Sequence, residues 1–124
     1  EQIGVLAGMT LDEQRQMLAE ALQEASQGPT KTRELHEAWR AGDLERLRDG
    51  MAAEMKRDYP ALYRRINVAR NDAWLPRIEQ RLARKGDDTL VVVGALHLLG
   101  EDGVVEKLRA KGYKVERICS ACAP

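Results

Sequence analysis

His97 is the residue in this chain most clearly placed for chemistry. It closes the run Leu90-Val91-Val92-Val93-Gly94-Ala95-Leu96-His97. Four apolar residues in a row read as a buried strand, and Gly94 permits close backbone approach at its carboxyl end. Open α/β sheets bind their ligands in the crevice beyond the carboxyl ends of the strands. An imidazole there can act as an acid, a base or a metal ligand. Gly100 and Gly103 then flank a loop that opens a helix. Helix amino termini attract anions, but Glu101 and Asp102 already supply negative charge here. The corner therefore suits a cation better than a phosphate. Taken alone, G-x-x-H is a weak motif, a lone histidine is more often structural than catalytic, and a metal needs about three protein ligands.

Arg70 is the second candidate. It lies one helical turn before Trp74 and two before Ile78, so it shares their face. An unpaired buried charge is costly, so an arginine on an inward stripe needs a partner. Two readings stand: a snorkelling surface arginine, or a guanidinium aimed at a carboxylate or oxyanion in a cleft. Asn71 beside it reads as a helix cap. His36 reads as a solvated or half-buried mid-helix residue, and the charged run 34–57 as a solvated face. Cys119 and Cys122 form C-x-x-C after the last strand, not at the start of a helix where a redox motif would sit. They read as an inert or disulfide-linked tail pair, an oxidised pair reporting a periplasmic or other extracytoplasmic home, or a metal pair. The compartment stays open, with the oxidised pair its only pointer.

Helices must do most of the positioning. Thr10-Leu11-Asp12-Glu13 is a capping box, and Leu11, Leu18, Leu22 and Ala25 place an amphipathic helix over 11–26. Gly28-Pro29 ends it. Thr30 or Thr32 caps a second helix with Leu35, Ala38 and Trp39 on one face and Gly42 as its stop. Asp43 caps a third, carrying Leu44, Leu47, Met51 and Met55 inward, and Asp58-Tyr59-Pro60 breaks it. Helix resumes over 61–69 and 72–85, with Pro76 kinking it or lying in its first turn. Gly86-Asp87-Asp88 leads into the strand at 90–93; a helix at 103–111 and a strand at 113–118 follow.

The expected fold is therefore α+β in one partial domain. A helical region, 1–85, precedes a strand–loop–helix–strand unit, 86–124, that is a βαβ unit with two parallel strands. Two short strands do not make a stable sheet in water, and a strand apolar at every position wants cover on both faces and neighbours on both edges. The sheet is expected to be part of a larger one, completed by strands upstream of Glu1 or by a second copy. Glu1-Gln2 stands where an initiating Met would be, as in a processed product or fragment. Twenty basic and twenty acidic side chains cancel, so no net field recruits nucleic acid or an anionic membrane. Two Trp, three Tyr and no Phe argue against a base-stacking platform. No run approaches the roughly 18 apolar residues of a membrane span.

Read together, Arg70-Asn71-Asp72-Ala73-Trp74-Leu75-Pro76-Arg77-Ile78, Val92-Val93-Gly94-Ala95-Leu96-His97-Leu98-Leu99-Gly100, Gly103 and Gly112-Tyr113 resemble the carboxyl-terminal half of the TraB/GumN family. Relatives of that family include the Tiki metalloproteases of animals. Glu1-Gln2, Trp39, Gly42-Asp43 and Tyr59-Pro60-Ala61-Leu62-Tyr63 are similar to it in the same order, so the likeness covers essentially the whole chain. The resemblance implies an α+β fold with one G-x-x-H in each half. It also implies a site of those two histidines with a glutamate and an arginine. In the Tiki branch that site is a protease centre dependent on a divalent metal, here Mn, Co or Zn.

Carried over residue by residue, His97 is the second motif histidine, catalytic and metal-binding. Arg70 is the catalytic arginine and Gly94 the motif glycine; apart from the resemblance, Gly94 and Gly100 are read as shaping the loop. The first G-x-x-H is missing: Arg33 stands three places before His36, where glycine is needed. The family glutamate falls upstream of Glu1-Gln2. The resemblance thus implies half of a metal-dependent hydrolase acting on a peptide, inactive in isolation, whose partner is a missing N-terminal half or a second copy. The alternatives are a non-catalytic binding or scaffold module, and a self-associating half-domain with two His97 side chains meeting across a twofold axis.

Overall fold

A computed structural model of the chain describes residues 2–84, 86 and 88–120. Glu1, Lys85, Asp87 and Cys122, to which the sequence assigned roles, lie outside the described residues.

Helix α1 (Gln2–Ala7) precedes α2 (Leu11–Ala41). The capping box forms: Thr10 Oγ1 accepts from Glu13 N at 3.2 Å, and Glu13 Oε2 accepts from Thr10 N at 2.7 Å. Such a box satisfies two amide donors that the first turn cannot. Gly28, at φ 61° and ψ −156°, interrupts α2, and helix resumes at once with Pro29. The first helical segment thus ends at Gly28-Pro29 as expected, α2 being two helices that meet at a kink there; neither Thr30 nor Thr32 caps the second. Gly42 at φ 68° closes α2, with Asp43 N donating to Ala38 O at 2.9 Å. Asp43 Oδ1 then accepts from Arg46 N at 3.0 Å and starts α3 (Leu44–Arg48).

A π-helical turn, Asp49–Ala53, joins α3 to α4 (Glu54–Asp58). Tyr59, at the non-helical φ −133° and ψ 58° before Pro60, breaks the rod as expected. Beyond it, α5 (Pro60–Tyr63), a second π-helical turn (Arg64–Val68) and α6 (Ala69–Leu82) run on without the expected gap at 70–71. A 3-10 turn (Ala95–Leu98) and α7 (Val104–Ala110) complete the order.

Two apolar clusters hold these elements. Ala38, Leu47 and Leu99 form one, flanked by Leu35 and Met51. Leu75, Val104 and Leu108 form the other, flanked by Trp74, Ile78 and Val115. Leu99 and Val104 sit in different clusters, so the loop between them is pinned at both ends. Burying each such side chain stabilises by roughly 1.5–3 kcal/mol.

The expected α+β fold is incorrect: no strand and no sheet occur among the described residues. The segments 90–93 and 113–118 are non-helical and form no ladder with each other or anything else. Leu90 is 88% exposed, Val92 81% and Ile118 98%. A strand's amides are satisfied only by a neighbouring strand, whereas a helix satisfies its own. Val115 docks instead beside the α6–α7 pair. Trp39, expected on one face with Leu35 and Ala38, is 62% exposed where Ala38 is buried. Leu11, Leu18 and Leu22 likewise face outward along the first half of α2. Among the described residues no helix is long and apolar enough to cross a membrane.

Candidate functional site

Asn67, Arg70, Asn71 and Trp74 recur at helical spacing and share one stripe of the 60–82 rod. The 3-10 turn after Gly94 lays His97 across that stripe. His97 Nδ1 lies 2.8 Å from Asn71 Oδ1, and Nε2 lies 3.4 Å from Arg70 Nη1. The imidazole meets Trp74 edge-on, with ring centroids 4.7 Å apart and planes at 61°. Arg70 lies over the same indole, 4.8 Å from its centroid. Arg70 Nη1 also donates to Ile66 O at 3.4 Å, while its Nε is buried without a hydrogen-bond partner. The structure thus brings together the two residues, His97 and Arg70, that the sequence assigned to chemistry.

A second set of contacts fixes the loop that carries His97. Asn71 is fully buried, and its Nδ2 donates to Asp102 O at 2.7 Å. The Asp102 carboxylate accepts from Lys56 Nζ at 2.8 Å and from Tyr63 Oη at 3.2 Å. Lys56 also reaches Glu101 Oε1 at 2.8 Å. Tyr63 Oη accepts in turn from Asn67 Nδ2 at 3.1 Å. The cation expected near Glu101 and Asp102 is therefore supplied from within, by Lys56 of α4.

Two glycines make the loop's path possible. Gly100 adopts φ 66°, and a Cβ there would sit 3.1 Å from Arg48 Cδ. At Gly103 a Cβ would come within 2.7 Å of Leu98 C and Leu99 O, both backbone atoms. Gly94 has no such need: φ is −61°, and a Cβ would meet His97 Cδ2 at an ordinary 3.9 Å. The tight corner of the loop is at Gly103, and the left-handed turn is at Gly100.

The electrostatics follow from burial and neighbours. Burial first, and then the positive charge of Arg70, hold His97 below its ordinary pKa, so the imidazole is neutral at pH 7. Burial pushes the Asp102 carboxyl up, but the hydrogen bond and charge of Lys56, with Tyr63 and Lys107, outweigh it and hold the group below the usual carboxylate range. The hydrogen bonds to Asp102 and Glu101 push Lys56 upward. Burial raises the Tyr63 phenol.

As a metal centre the donor set is incomplete. His97 is one imidazole, its Nε2 faces a guanidinium, and no three His, Cys, Asp or Glu side chains lie together among the described residues. His36 stacks on Trp39 on the exposed side of α2. Cys119 is disulfide-bonded. Leu96 lines a cavity of about 380 Å³ beside Lys56, Tyr63 and Asp102. Leu98 lines a groove of about 1110 Å³ with Trp39, Leu44 and Ile118.

Sequence reasoning passed over Lys56 and Tyr63 as site residues, and it missed the part that Asn71 plays. Asn71 was readable only as a cap, yet it shares its face with Arg70 and Trp74, and a polar residue on an apolar stripe demands a partner. Nothing local marks Lys56 or Tyr63 for this site, since their bonds to Asp102 span 46 and 39 positions.

Residues 1–117 match the TraB/PrgY/gumN family. No curated protein and no solved structure matches the chain. The R-N…W stripe and the G-x-x-H turn thus meet in space within a match that spans nearly the whole sequence, and the chain belongs to the TraB/PrgY/gumN family.

Proposed function

We propose that this chain supplies one wall of a hydrolytic site, with His97 as its working imidazole and Arg70 as its anion holder. The single observation that carries the reading is the array Asn71–His97–Arg70. A neutral imidazole with one nitrogen engaged by a buried partner is the arrangement in which histidine serves as base or ligand. A guanidinium beside it suits a substrate carboxylate or a developing oxyanion. The unpartnered Arg70 Nε costs about 1–3 kcal/mol, and turning the guanidinium onto an anion removes that cost.

The opposite wall comes from an N-terminal half or from a second copy of the chain. The substrate class is a peptide, in keeping with the TraB/GumN likeness to Tiki proteases. A divalent transition metal, Mn, Co or Zn, belongs to this reading only as part of the completed site. Among the described residues the donors do not form a metal site on their own, and on this reading the isolated chain is expected to be inactive.

One observation favours a different reading. Arg70 already takes up His97 Nε2 in a long contact, as in a binding module that grips an anionic peptide without cleaving it. A single assay separates the two. The chain is tested alone, and joined to the coding sequence preceding Glu1, on a peptide library with and without Mn²⁺, Co²⁺ or Zn²⁺. The hydrolase reading expects cleavage only by the joined protein, lowered at least ~100-fold by His97→Ala. Cleavage that survives His97→Ala overturns it, and peptide binding without cleavage supports the module.

A further inference from the structure

We infer that Asn71 is the positioning residue that fixes His97 in one tautomer, with the proton on Nδ1 and the lone pair on Nε2. The warrant is the direction of three hydrogen bonds. Asp102 O is a backbone carbonyl, which can only accept. The Asn71 atom 2.7 Å from it must therefore be the NH₂ group, which places the amide oxygen 2.8 Å from His97 Nδ1. That oxygen can only accept, so Nδ1 must carry the hydrogen. Nε2 is then bare and accepts from Arg70 Nη1, which can only donate. Proton donation runs one way along the array, from Arg70 to His97 to Asn71 to Asp102 O, and each bond polarises the next.

The anchor of the chain is rigid. Asn71 is fully buried on the 60–82 rod. Asp102 is held independently, through its carboxylate, by Lys56 and Tyr63. Reversing the Asn71 amide would set its oxygen against the Asp102 carbonyl and its NH₂ against the imidazole, losing the shorter bond outright. The short contact is to Asn71 and the long one to Arg70, so Asn71 sets the tautomer and Arg70 follows it. The consequence for the site, which rests on the reading of His97 as its working imidazole, is that Nε2 alone is available to take a proton or bind a ligand.

The test reads the tautomer directly and needs no turnover, so it stands or falls apart from the hydrolase reading. The chain is labelled with ¹⁵N-histidine, and long-range proton–nitrogen correlations are recorded at neutral pH. Exposed His36 serves as the internal reference. His97 is expected to show a protonated Nδ1 and a bare Nε2, while solvent-facing His36 is expected to show a mixture of tautomers. Arg70→Leu is expected to leave the His97 pattern unchanged. Asn71→Leu, where it folds, is expected to shift His97 toward the His36 mixture. A bare Nδ1 in the unaltered chain overturns the inference. So does an Arg70→Leu variant whose His97 becomes mixed, because Arg70 would then be the determinant; these two measurements decide the matter without the Asn71 variant.

Discussion

Leu90–Val93 and the loop from Ala95 to Val104 are neighbours in the chain and opposites in the fold. The first is the more hydrophobic, yet Leu90 and Val92 stand 88% and 81% exposed. The second contains two glycines, two acids and a histidine, and it is fastened at every few residues. Leu99 enters one apolar cluster and Val104 the other. Asp102 is held through its carbonyl by Asn71 and through its carboxylate by Lys56 and Tyr63. Hydrophobicity alone does not bury a segment. A strand needs a partner for its amides, whereas a loop laid across a preformed helical rod finds polar and apolar partners already in place.

The sharpest break of this contrast is a pair of truncations. Leu99→Ala is expected to destabilise the chain by about 2–4 kcal/mol, because Leu99 is buried between Ala38 and Leu47. Val92→Ala is expected to change stability by less than about 0.5 kcal/mol. Denaturant midpoints of the two variants check this, and equal losses would show that Val92 is covered after all.

Gly103→Ala comes next, at about 1–3 kcal/mol, since the new methyl meets Leu98 and Leu99 backbone at 2.7 Å. Gly94→Ala is the control, with a change too small to resolve. Thermal melts that rank the two in the opposite order would overturn the assignment of the tight corner to Gly103.

Acid should loosen the fastened loop in two stages. His97 and Asp102 both have folded pKa values below their unfolded ones. For each, the unfolded chain binds more protons in the window between the two values, so stability falls as pH falls through it. The His97 loss begins below its ordinary 6.5 and the Asp102 loss below its ordinary 3.8. Stability profiles of His97→Ala should lack the first stage alone, and a first stage that persists there would exclude His97 as its source.

The smallest effect is expected from Lys56→Met, at about 0.5–1 kcal/mol, because the pair with Asp102 is partly exposed. Added salt should shrink the difference between this variant and the unaltered chain. A salt-independent difference would mean that Lys56 acts through packing instead.

The helix signals were legible because their causes are local. Thr10 and Glu13 cap one helix, Gly42 and Asp43 hand over to the next, and Tyr59-Pro60 breaks the chain, all through neighbours within five residues. The meeting of Arg70 and His97 was expected only through the family likeness, since 27 positions separate them. The valine run misled because its composition reports a strand's preferences and not whether a partner strand is at hand. Asn71 was hidden for the converse reason: its two partners, His97 and Asp102, come from a distant loop.

By itself the sequence determined the helix starts at Thr10 and Asp43, the breaks at Gly42 and Tyr59-Pro60, which family the chain belongs to, and that His97 and Arg70 are its candidates for chemistry. Caps, breaks and motifs act over a turn or two of backbone and need nothing else. Only the tertiary structure decided that no sheet forms among the described residues, that Lys56 supplies the cation beside Asp102, and that Asn71 stands between His97 and the Asp102 carbonyl. Those outcomes depend on which distant groups a rigid helical rod brings within hydrogen-bonding range, and no spacing along the chain encodes that distance.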